Sequence, residues 1–161
     1  MKKTLIYAAA VTLMLTVSVS STYAHPTTES LNSPHVISLV EFPQGIRHWR
    51  IIRHTLRLEI PQQCKALSQL TIEPPSHITV RDNIDVSDQS GKKINANVSI
   101  NNKKVILAFA EPVAPGTILT IDMNKVKKSA ATTGDKLYKI FARLEGNNAE
   151  LPIGVAQLRN Y

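Results

Sequence analysis

Few residues of this 161-residue chain are spaced for chemistry, and the densest run is cationic: Arg47, His48, Trp49 and Arg50, followed by Arg53 and His54. In an extended strand successive side chains alternate, so Arg47, Trp49, Ile51 and Arg53 fall on one face. Guanidinium groups placed there would pair with sulfate, phosphate or carboxylate, while Trp49 would stack on a sugar ring or settle at a lipid interface. The competing expectation is purely structural: a strand entering the core, with Trp49 buried and the arginines solvated.

A second chemistry depends on where an exported chain begins. Lys2 and Lys3, an apolar stretch from Leu5 to about Val19, and Thr22-Tyr23-Ala24 have the order of a cleavable signal peptide. Cleavage after Ala24 leaves His25 first, where its α-amine and imidazole Nδ1 can chelate one cupric ion. A second ligand would come from His35, His48, His54 or His77, and no spacing favours one of them. Pro26 has no amide hydrogen to lose, so ligation cannot continue along the backbone.

Asp82, Asp85 and Asp88 recur every third residue before Gly91, but an EF-hand loop wants oxygens at alternate positions and a glutamate at the twelfth, where Ala96 stands if Asp85 is first. Asx-turns in a solvated loop are the expectation there. The chain contains no Gly-x-Ser-x-Gly, His-Glu-x-x-His or Cys-x-x-Cys motif, and no nucleophile and base stand out. The reading is therefore non-enzymatic.

The elements that would position these residues are β-strands. From His25 to about Pro34 the residues are mostly Pro, Thr, Ser, Asn and Glu, which suits a flexible leader. Thereafter β-prone runs alternate with turn residues: 36–41, 51–60, 69–73, 78–80, 84–86, 94–100, 105–110, 118–126, 137–144 and 153–158. Leu56, Leu58 and Ile60 share one face opposite Arg57 and Glu59, and Val105, Leu107 and Phe109 repeat the pattern. Asn101 and Asn102 tolerate the positive φ of a tight hairpin, and Pro115-Gly116 suits a type II turn; both predict antiparallel neighbours. Gln62 to Leu67, after Pro61, predicts a single helical turn. Lysines 103, 104, 125, 127 and 128 flank strands and read as solvated edges.

With the strands placed, a family resemblance emerges. His54-Thr-Leu-Arg-Leu-Glu-Ile-Pro61, then Leu67-Ser-Gln-Leu-Thr-Ile72, resembles the strand, proline and strand of exported cyanobacterial proteins grouped as domain of unknown function 2808. Val105 to Phe109, Glu111-Pro-Val-Ala-Pro-Gly-Thr117 and Leu119-Thr-Ile-Asp122 resemble that family's strand, turn and strand, and the likeness extends to Gly134, Tyr138 and Ile153-Gly-Val155. The resemblance implies export and a β-rich domain, and it carries no catalytic residues.

Together these features predict a signal peptide over 1–24, a leader over 25–34 and one antiparallel β-sandwich over 35–161, immunoglobulin-like in its layering. The apolar stretch is shorter than the roughly 20 residues a membrane span needs, so no transmembrane segment is expected in the mature chain. Cys64 stands alone, which forbids an internal disulfide and suits a small buried residue. The full chain carries 19 Lys and Arg against 12 Asp and Glu, a formal charge of +7. Outside the cytoplasm such charge either serves solubility alone or meets anionic polysaccharide or lipid rather than nucleic acid. The expectation is a monomeric envelope binding module, periplasmic or extracellular, or in the thylakoid lumen of a cyanobacterium. It has no cofactor, and copper at His25 is the alternative.

Overall fold

Alternation of apolar and polar side chains along short strands needs two surfaces to bury one face of each, and a pair of stacked sheets supplies them. The computed structural model describes residues 32–43, 51–128 and 137–158. Ten strands occupy them: β1 (His35–Phe42), β2 (Ile51–Glu59), β3 (Leu67–Glu73), β4 (Ile78–Thr79), β5 (Ile84–Ser87), β6 (Ala96–Asn101), β7 (Lys104–Val113), β8 (Ile118–Lys128), β9 (Leu137–Leu144) and β10 (Leu151–Gln157). One sheet runs β1-β2-β8, with β4 and β5 both pairing the far side of β8. The other runs β10-β9-β3-β7-β6. Every pairing is antiparallel. The all-β, immunoglobulin-like sandwich expected from the sequence is the fold observed.

The core lies where the periodicity placed it. Leu56, Leu58 and Ile60 are fully buried, as are Leu119 and Ile121 beside them and Leu70, Ile72 and Leu107 across the gap. Each such side chain contributes about 1.5–3 kcal/mol of apolar burial. Cys64 is free and buried, and burial pushes its thiol up.

Three local readings need correction. The segment after Pro61 forms a turn closed by Cys64 N–H on the Pro61 carbonyl rather than a helical turn, because Cys64 and Leu67 both point into the core and the chain must extend between them. The β6–β7 hairpin places its positive φ at Asn102 (49°) and Lys103 (67°), one residue later than Asn101 and Asn102. Gly116 does take the positive φ (78°) of a type II turn, yet Pro115-Gly116 carries the chain from one sheet to the other, so β7 and β8 are not neighbours. That crossing is fastened to the end of β2: Gly116 N–H donates to the Ile60 carbonyl at 2.7 Å, and Ile60 N–H to Thr117 at 2.9 Å.

Candidate functional site

Of the residues singled out for binding, Arg53 lies in the described structure; Arg47, Trp49 and Arg50, with His25 and His48, lie outside the described residues. Arg53 points outward from β2, between the buried Ile52 and His54. Its guanidinium rests over the ring of Phe42, 5.1 Å from the centroid, and its Nε lies 3.9 Å from Asp122 Oδ1. Phe42 is the strand partner of Arg53 and is 56% exposed. Farther across the same face, Thr55 donates to Asp122, Asn124 donates to Asp85 Oδ2 at 3.0 Å, and Lys93 lies 3.4 Å from Asp85. The result is a polar sheet face with one aromatic ring at its β1 edge.

Directly behind Arg53 is a buried polar network that sequence reasoning missed. His54 faces inward and is fully buried; its Nδ1 meets the Tyr138 hydroxyl of the opposite sheet at 2.6 Å. Its Nε2 lies 3.5 Å from Glu41 Oε2 on β1, an electrostatic contact longer than a good hydrogen bond. Lys128 of β8 holds the same carboxylate. With Tyr138 donating to Nδ1, the ring proton sits on Nε2, which faces the Glu41 carboxylate without a hydrogen bond to it. The contact with His54, and Lys128 after it, outweigh burial and hold the Glu41 carboxyl down to about 2. Burial pushes His54 below its ordinary value against the pull of Glu41, and burial pushes the Tyr138 hydroxyl well up.

A bulge in β8 brings Lys128 to this network. Ile52 pairs with Val126 and His54 with Met123, so two residues of β8, Asn124 and Lys125, stand opposite Arg53 alone. Lys125 takes the positive φ (56°) that the extra residue requires. The insertion reverses the parity of the strand: Met123 points inward, then Val126, then Lys128. Lys128 is thus half-buried and paired, which corrects its reading as a solvated edge lysine. With both rings fully buried, no substrate atom reaches His54 or Tyr138, and the network clamps β1, β2, β8 and β9 together.

The remaining candidates are placed as follows. Asp88 Oδ1 accepts from the Ser90 and Lys92 amides at 2.8 and 3.0 Å, the Asx-type turn expected, and these bonds hold its carboxyl low, the Ser90 hydroxyl first. His35 lies 3.4 Å from Glu59, and His54 spends both ring nitrogens inside the protein. Among the described residues no three His, Cys, Asp or Glu side chains converge as a metal site, and no helix is long and apolar enough to cross a membrane. A shallow hollow of about 420 Å³ opens between β6 and the β4–β5 connection, lined by Val80, Arg81, Asp82, Val98 and Ile100.

The outer face of the second sheet carries groups the sequence did not single out. Phe141 lies there beneath Lys104, whose Nζ is 5.9 Å from the ring centroid and 3.4 Å from Glu73. Glu150, from the β9–β10 connection, accepts from Thr71 Oγ1 at 2.8 Å and from Gln69 Nε2 at 3.2 Å.

Comparison with known proteins agrees with this architecture. The N-terminal domain of the Streptococcus gordonii adhesin Sgo0707 is similar over 80% of this chain and 32% of its own length, at 9% identity and a TM-score of 0.55. The collagen-binding subdomain of the Enterococcus faecalis surface protein ACE aligns over 76% of this chain and 94% of its own, at 12% identity and a TM-score of 0.47. The bacterial hydrophobin BslA aligns over 76% of this chain and 100% of its own, at 16% identity and a TM-score of 0.40. At 9% identity the likeness to the Sgo0707 domain is one of fold alone. No curated protein matches the sequence. The family model described as protein of unknown function (DUF2808) matches residues 28–155, and the chain belongs to that family.

Proposed function

We propose that this is an exported, non-enzymatic binding module that engages an anionic envelope component through Arg53 and the cationic segment Arg47, Trp49 and Arg50 that leads into it. The observation that carries the reading is the setting of Arg53: half-exposed on a broad polar face, braced over the open ring of Phe42, with Asp122 Oδ1 3.9 Å from its Nε. A guanidinium held this way loses little freedom when it takes a sulfate, phosphate or carboxylate. The basic excess of the chain draws such partners in. Absence of hydrolytic motifs and the closure of the His54 network both favour binding over catalysis.

The test is co-sedimentation of the protein with its host's envelope fraction, and separately with phosphatidylglycerol vesicles. Wild type should pellet with the envelope, and R53A combined with R47A, W49A and R50A should stay in the supernatant with its fold intact. Retention of the vesicles would identify lipid as the anion, and retention of lipid-free envelope would identify polysaccharide. Undiminished pelleting of the four-residue variant would overturn the reading.

A further inference from the structure

On the face opposite Arg53, we propose a second binding site: the outer surface of the β10-β9-β3-β7-β6 sheet is a platform for a linear acidic polysaccharide, with Phe141 as its stacking surface and Lys139 and Arg143 as its cationic border. The site is independent of Arg53 and of the reading built on it.

Register creates the platform. Pro152, Phe141, Thr71, Ile106 and Ser99 stand side by side in one row across all five strands. At about 4.8 Å between strands the row runs about 19 Å, long enough for several sugar rings laid across the sheet. Thr71 faces outward yet is only 3% exposed, because Glu150 folds onto the sheet and caps its hydroxyl. Phe141 and Ile106 stand on either side of Thr71 and its Glu150 cap, and the faces of sugar rings would lie on these two apolar side chains. Amide side chains border it, among them Gln69, Asn97 and Asn101, and an amide both donates and accepts, as a hydroxyl-rich ligand requires.

Charge selects an acidic polymer over a neutral one. Glu73 is engaged by Lys104 at 3.4 Å, and Glu150 by Thr71 and Gln69. Lys139, directly opposite Glu73 on β9, has no carboxylate within ion-pair distance among the described residues. Arg143, opposite Gln69, keeps its Nε buried without a hydrogen-bond partner. Two cations thus flank Phe141 with their capacity for an anion unspent, while Glu73 is paired with Lys104 and Glu150 is hydrogen-bonded to Thr71 and Gln69.

The experiment is affinity electrophoresis of the mature protein through polygalacturonate, with neutral dextran and phosphatidylglycerol vesicles as comparison probes. Polygalacturonate should retard the protein and dextran should not. F141A and K139E should each weaken retention about tenfold, F141Y should keep it, and K92A, at an exposed lysine of the β5–β6 connection, should leave it unchanged. Backbone amide shifts on adding polygalacturonate should fall on β3, β7 and β9. Folding of each variant is checked by circular dichroism, and F141Y separates loss of the aromatic face from loss of structure. Retention undiminished in folded F141A and K139E, retention lost equally in K92A, equal retention by dextran, or binding of vesicles with none of polygalacturonate would overturn the proposal.

Discussion

At the scale of single residues, the most consequential contact is the one between His54 and Tyr138, because it is the polar link between sheets within an apolar core. Removing the hydroxyl with Tyr138→Phe keeps the ring and its edge-on packing against His54, at 5.7 Å between centroids. It leaves Nδ1 buried without a donor, and an unsatisfied buried acceptor costs about 1–3 kcal/mol. Urea denaturation should show a fall in midpoint of that size with an unchanged slope. A variant as stable as wild type would mean that the hydroxyl contributes nothing beyond its ring. Nothing in the order of residues foretold this pair: His54 and Tyr138 are 84 positions apart, and only the pairing of sheets brings them together. The signal that was available is the position of His54 in the inward register of Ile52, Leu56 and Leu58, where a histidine must find partners.

Elements were more legible than contacts, since period two and turn chemistry are local while sheet assignment is not. All ten β-prone runs correspond to strands, with ends that coincide or shift by at most three residues. The Pro115-Gly116 turn was recognised but its role was not, because the same backbone geometry serves a hairpin or a crossing between sheets. The β8 bulge was invisible for a related reason: an inserted residue shows itself only against the partner strand, and Lys125 has no residue type that announces a positive φ. The β6–β7 hairpin permits a direct test at this scale. Asn102 and Lys103 have positive φ at both central positions, the geometry of a type I′ turn, which favours Asn-Gly. Lys103 carries the cost of a Cβ in the left-handed region, and its Nζ makes only a long contact, 3.4 Å, with the Ser76 carbonyl. Lys103→Gly should therefore stabilise the fold by about 0.5–1 kcal/mol, read as a higher thermal midpoint. A lower midpoint would show that the Ser76 contact outweighs the backbone strain.

For the whole molecule, the buried network ties stability to acidity, and His54 and Glu41, its two groups with lowered values, act in the same direction. His54 has its proton affinity lowered from the ordinary value of 6.5, chiefly by burial, so the unfolded chain takes up a proton that the folded chain resists. Its contribution leaves the fold unaffected above about 6.5 and destabilises it as pH drops below that value. Glu41 is ionised in the fold down to about 2 against an ordinary 4.5, so the stability it adds is complete above 4.5 and is lost as pH falls from 4.5 towards 2. Solvent reaches part of this carboxylate, and screening limits the gain to about 1–3 kcal/mol. Urea midpoints of wild type should thus be level from pH 8 to 6.5, decline gently below 6.5, and fall more steeply below 4.5. Glu41→Gln should begin less stable at pH 7, since Lys128 and His54 lose the charge between them, and should lose the steep segment below 4.5. Parallel acid profiles for wild type and Glu41→Gln would place the acid sensitivity of this fold in some other carboxylate, and would reduce the network to a packing contact.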